Sequence, residues 1–221
     1  MSMRQDPLHR AARATRLSLR TKIEMSEFAL ADSILALSIG LGLAAASGFR
    51  VFLPPMILSG AINLELMPAG QFALLDGWVI FAVLTVAVII EVGGYLIPWV
   101  DNLLDMVATP AAAIAGVLMM GSMLDDFGPA VQWSMSIVAG GGVAGTVQTG
   151  TVAVRALSTG TTGGLANPVF SIFEAFLAIL ITILAILAPL IAVGLIAIGL
   201  IYAVRFIQER KAKKALKRMS A

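Results

Sequence analysis

Between Lys22 and Arg205 the chain carries only two basic residues, Arg50 and Arg155, and the sequence around both is apolar and rich in Gly and Ala. That distribution constrains the fold more than any other feature. A cation at bilayer depth costs at least about 2.5–3.5 kcal/mol, so each arginine must face a partner, a cavity or a pathway. Ordinary soluble domains carry roughly 25% charged residues, whereas this chain has 13%, with 59% hydrophobic residues and a mean hydropathy of +0.94. An all-α polytopic membrane bundle follows, with room in 221 residues for about six to eight crossings of roughly 20 residues each. There is no room left for a sizeable soluble domain.

The remaining cations lie in two tails, Arg4 to Lys22 and Arg205 to Arg218. By the positive-inside rule both termini are expected in the cytoplasm, hence an even number of crossings in a bacterial inner membrane. This topological reading accounts for the basic tails, so nucleic acid is not expected as a partner. The organisation read from the sequence is a tail over residues 1–27, a transmembrane domain over 28–207 and a second tail over 208–221. The first tail resembles a targeting peptide in its arginines, but Asp6, Glu24 and Glu27 and its length favour a retained helix.

No cysteine is present and the single histidine is His9, in the first tail. Disulfides, thiolate metal sites, cysteine nucleophiles and histidine-dependent triads are thereby excluded. No catalytic residue, metal ligand set or cofactor is expected. A lipid-processing enzyme would have to rely on Asp101, Asp105, Asp125 and Asp126, read here as acids of solvated outer loops. Trp78, Trp99 and Trp133 fall near segment ends and read as interface anchors, and Met119, Met120 and Met123 read as packing residues.

The apolar segments are interrupted. Residues 28–46 lead into Ser47, Gly48 and Arg50, and residues 51–58 contain Pro54 and Pro55, which remove two backbone donors and predict irregular backbone satisfied by protein. Residues 77–98 form a clean span, 99–105 a polar turn, and 108–123 a further segment. The second half opens with 130–147, which holds Gly140, Gly141, Gly142 and Gly145, and continues through 149–158 to a Thr/Gly-rich link. Residues 168–207 would make one helix of about 60 Å, twice the hydrocarbon thickness, so a division at Pro189 is predicted.

The halves look related. Residues 39–60 lie on 139–160 without a gap, matching Gly42 with Gly142 and Gly60 with Gly160, although the two arginines do not superpose. Each copy is followed by a helix with one acid, Glu91 or Glu174, and then by a helix expected to start at proline, Pro110 or Pro189. Two repeats are therefore expected, at about 28–124 and 130–207, inverted if each crosses three times and parallel if four.

Three stretches, ASGFRVFLP at 46–54, EVGGYLIPWVDNLLD at 91–105 and RALSTGTTGGLANPVFSIFE at 155–174, resemble a bacterial integral-membrane family known only as domain of unknown function 4126. The resemblance covers about three quarters of the chain. It implies a membrane fold and no activity. The chain departs from the family pattern at Gly94 to Leu96, where a charged tripeptide commonly precedes the Ile-Pro turn.

Four intramembrane charges carry the chemistry. Glu91 shares a helix face with Ala87, Gly94 and Tyr95, and Glu174 shares one with Ser171, Ala178 and Thr182, so both acids should point at protein. Arg50 and Arg155 are expected to pair with Glu91 and Glu174 around a pocket lined by the breaks, with Gly48, Gly142 and Gln148 on a substrate or ion pathway. Two guanidiniums favour an anion bound bidentately, and a carboxylate beside them could couple solute to protons. The sequence-level reading is a small-solute transporter or channel in the lipid bilayer. The alternatives are a factor binding a lipid or partner helix in that pocket, and a purely structural ion pair. Small-residue faces on the outer helices also permit a homo-oligomer.

Overall fold

The computed structural model describes residues 7–97 and 100–219. Trp99, expected at an interface, and the first six residues of the basic tail lie outside the described residues. Regular structure among the described residues is entirely helical: α1 (Pro7–Phe49), α2 (Leu53–Asn63), α3 (Trp78–Tyr95), α4 (Val100–Met123), α5 (Pro129–Met135), α6 (Gly142–Thr162), α7 (Asn167–Leu187) and α8 (Pro189–Met219). Two compact units divide the chain, one ending at Ala36 and the other running from Leu37. The described part of the first, from Pro7, is helical and exposes Leu30, Ile34 and Leu35. The packing and the site described below lie in the second.

Among the described residues, five stretches are long and apolar enough to cross a membrane: Ala29–Phe49, Trp78–Tyr95, Leu103–Met123, Pro129–Thr162 and Asn167–Leu187. Pro189–Tyr202 is a shorter apolar helical segment. What these helices bury identifies their solvent. The buried residues of α3 are Glu91 and Tyr95, while Val79, Val83, Val86, Ile89 and Ile90 are exposed. In α6 the buried stripe is Ala144, Gln148, Thr151, Arg155 and Ser158, and in α7 it is Asn167, Ser171, Glu174, Ala178, Thr182 and Ala185. Small and polar side chains face inward and large apolar ones outward, the reverse of a water-soluble core and the pattern a lipid solvent imposes. The protein is an integral membrane protein.

Several segment boundaries differ from those expected. Residues 51–58 belong to α2, a helix of 11 residues and about 16 Å, too short to span the bilayer. The polar turn expected at 99–105 is in fact helical from Val100, and Pro110 lies inside α4 rather than at its start. Asp101 therefore sits in the first turn of α4 and Asp125 beyond its far end, separated by a helix about 36 Å long, and not together in outer loops. Asp125 and Asp126 are exposed on the turn that follows α4. The division at Pro189 is as expected: α7 ends at Leu187, and Ala188 separates it from α8.

The two tracts aligned as repeats take different backbones. Residues 39–60 contain a break between α1 and α2, whereas 139–160 run through a π-helical turn, Ser136–Gly141, straight into α6 without interruption. The glycines there serve close packing. A side chain on Gly140 would strike the Gly116 carbonyl oxygen and Met120, and one on Gly116 would strike Ala144 and Gly140, so α4 and the π turn touch backbone to backbone. Gly163, at φ 65°, ends α6 in the left-handed region and lets the chain reverse into α7. A small apolar core of Leu43, Leu58, Ile62, Phe72, Met119, Ala185 and Ala192 completes the packing. Trp78 and Trp133 are exposed near helix starts.

Candidate functional site

The α1–α2 break is satisfied from another helix. Proline at 54 and 55 bars α1 from continuing, because each lacks an N–H and each ring would clash with the carbonyl four residues earlier. The chain leaves the helix after Phe49 and restarts at Leu53, with both prolines in the first turn of α2, where their missing donors cost nothing. Two donors still need acceptors at membrane depth. Glu91 supplies both: the Val51 N–H donates to Oε1 at 2.7 Å and the Phe52 N–H to Oε2 at 3.2 Å. The carboxylate also lies at the positive end of α2.

Arg50, in the break itself, turns towards α7. Its Nη2 donates to the Ser171 carbonyl oxygen at 2.8 Å and to Ser171 Oγ at 2.6 Å. The same nitrogen stands 3.4 Å from Glu174 Oε2. From α6, Arg155 reaches Asp105 Oδ1 with Nη2 at 2.8 Å, and its Nε lies 3.6 Å from Glu174 Oε1. Glu174 thus bridges both arginines, one oxygen to each. Both guanidinium carbons lie over the Tyr95 ring, at 4.3 Å and 4.2 Å from its centroid, a desolvated cation–π arrangement that holds the planes in place.

Below Arg155, Asn167 Nδ2 donates to Asp101 Oδ2 and to Thr159 Oγ1. The cluster is closed to solvent: Arg50 is 0% exposed, Arg155 2%, Tyr95 3%, Glu174 5%, Glu91 8% and Asp105 9%. Four guanidinium nitrogens, Arg50 Nε and Nη1 and Arg155 Nε and Nη1, have no hydrogen-bond acceptor among the described residues. Beside the cluster is a cavity of about 330 Å³ whose walls include Phe52, Ala87, Glu91, Tyr95, Leu104 and Ala108. Apart from Glu91 and Tyr95, its lining residues are apolar.

The four expected charges do converge, with a different pairing from the one anticipated. Glu174 meets both arginines, and Glu91 takes backbone N–H groups where an arginine was expected. Gln148 is buried on the Arg155 stripe, two turns and about 10 Å along the helix from it. Gly48 packs against the Ala144 carbonyl oxygen and Val147 and so serves helix approach. Gly142 is exposed with nothing near it, because it lies off the buried stripe of α6.

Tyr95, Asp105 and Ser171 were not expected in the site. A signal for Asp105 exists: Asp101, Asp105, Ala112, Gly116 and Met120 are all buried on α4 at spacings of three, four or their sum, a single stripe that the expected loop at 99–105 concealed.

Membrane helices that bury a cluster of paired acids and arginines define a polytopic membrane protein with a polar interior. The chain belongs to the family described as domain of unknown function (DUF4126), whose family model matches residues 37–209. Comparison with curated proteins and with solved structures finds no match.

Proposed function

We propose that the protein is a small-solute transporter that carries anions together with protons, and not an enzyme, with both termini in the cytoplasm. The observation that carries this reading is the pair of buried arginines that share Glu174 yet keep four N–H-bearing nitrogens without a hydrogen-bond acceptor among the described residues. Structural ion pairs in a low-dielectric interior are normally saturated, since an unmet buried donor costs about 1–3 kcal/mol. Donor groups held open on two rigidly stacked guanidiniums suit an oxyanion recognised bidentately. The backbone break at residues 50–52 supplies a hinge at the same depth, the arrangement that broken-helix transporters use.

The test is nitrate uptake into proteoliposomes that report internal pH, comparing wild type with Arg50→Lys. Acid-driven uptake with internal acidification is expected from wild type, and at least tenfold less from Arg50→Lys, which keeps the charge but loses the planar fork. Absence of uptake by folded wild type, across nitrate and small carboxylates, rejects the reading.

The apolar cavity beside Glu91 and Tyr95 favours a second reading, a factor that seats a lipid chain there without transport. Mild-detergent purification should then retain a stoichiometric lipid.

A further inference from the structure

We infer that Glu174 occupies the seat of the solute anion: its carboxylate bridges Arg50 and Arg155 as a small planar monovalent oxyanion would, so that the anion binds only when Glu174 takes up a proton and gives up the arginines. This rests on the anion reading of the site and names its ligand class and its coupling residue.

Contact lengths separate anchors from exchangeable partners. Arg50 is held by hydrogen bonds to Ser171 at 2.6 and 2.8 Å, in the range of firm charge-assisted contacts, and Arg155 Nη2 stands 2.8 Å from Asp105 Oδ1 as an ion pair. The two Glu174 contacts are 3.4 Å and 3.6 Å. Removing Glu174 therefore leaves Arg50 on Ser171 and Arg155 beside Asp105, both over Tyr95, with Nε and Nη1 of each guanidinium without a hydrogen-bond acceptor among the described residues.

Charge fixes the stoichiometry. The groups facing Glu174 are Arg50 at the end of α1, Glu91 and Tyr95 on α3, Asp105 on α4 and Arg155 on α6, with Ser171 on its own helix. Acids already match the arginines in number without Glu174, so a further anion beside an ionised Glu174 would add an uncompensated buried charge. A proton taken from water onto a Glu174 oxygen, with one monoanion bound in its place, leaves the charge of the site unchanged. The O–H bond formed on Glu174 replaces one broken in a solvent hydronium ion, which is left as water, and the anion itself exchanges without making or breaking a covalent bond. A divalent anion breaks the balance and is excluded from the seat.

The experiment is nitrate binding to the full chain in detergent, by calorimetry between pH 5 and pH 8, together with proton uptake in weakly buffered solution. Nitrate does not titrate in this range, so any pH dependence belongs to the protein. Wild type should take up one proton per nitrate, and its affinity should fall by up to about tenfold per pH unit as pH rises. Glu174→Gln should bind nitrate with no such slope.

Wild type that binds nitrate without proton uptake, folded wild type that does not bind it, or a Glu174→Gln protein with the wild-type slope would each overturn the inference. Should Glu174→Gln fail to fold, the proton count on wild type decides alone. Proton-linked binding without flux in proteoliposomes keeps the inference and rejects transport. Flux without proton-linked binding does the opposite.

Discussion

Residues 39–63 and 136–162 have much in common as text: both are rich in small residues and both carry one of the two intramembrane arginines. As structure they part company. The first tract breaks between Phe49 and Leu53, and the second keeps its helix from the π turn through Arg155 to Thr162. Glycine is not the cause, since the longer glycine run is in the unbroken tract. Proline is, because Pro54 and Pro55 cannot donate to the ladder, and the break survives in the membrane because Glu91, 40 residues away in sequence, accepts the stranded N–H groups. The glycines of the second tract do a different job. They let α4 approach until backbones touch.

This contrast can be tested at three levels. The largest effect is expected at Arg155, which a continuous helix presents to two acids: Arg155→Ala leaves Asp105 buried without its partner and should lower stability by about 3–5 kcal/mol, measured by denaturant titration in detergent. Adding Asp105→Asn should recover part of the loss, whereas no recovery would mean that Asp105 is not the group left stranded.

Next comes the acid that caps the break. Glu91→Ala leaves two buried N–H groups unmet and should cost about 2–4 kcal/mol, from the lower part of the range for an unmet buried donor. Glu91→Gln retains one carbonyl acceptor and should lose roughly half as much; equal losses would show that charge, and not acceptor count, holds the break.

The smallest effect separates two neighbouring glycines. Gly140→Ala places a methyl against the Gly116 backbone and should cost about 1–3 kcal/mol, while Gly142→Ala, facing open space, should stay within about 0.5 kcal/mol. Comparable losses at both positions would move the role of this tract away from packing.

Much of the fold was legible. Apolar runs marked the spans, and the length of 168–207 required the division found at Pro189. The inward faces of Glu91 and Glu174 were readable from the small residues at helical spacing around them. The polar stretch at 99–105 misled because loop and first helical turn share the same residue types, and only the continuation of the buried stripe through Ala112 and Met120 distinguishes them. Gly142 was misplaced for a related reason: a glycine run has no side-chain pattern from which to read the face of each member.

Residue chemistry alone was enough to establish a membrane protein with four charges that had to be buried against protein, because the transfer cost of an arginine or a glutamate to lipid belongs to the side chain wherever it falls. The partners were a matter for packing. That Glu174 bridges both arginines, that Glu91 seats itself on backbone N–H groups, and that Tyr95 carries two guanidiniums all depend on contacts between residues 19 to 124 positions apart. Ion pairing acts over a few ångströms of space and leaves no period along the chain, so the packed helices alone determine which acid meets which base.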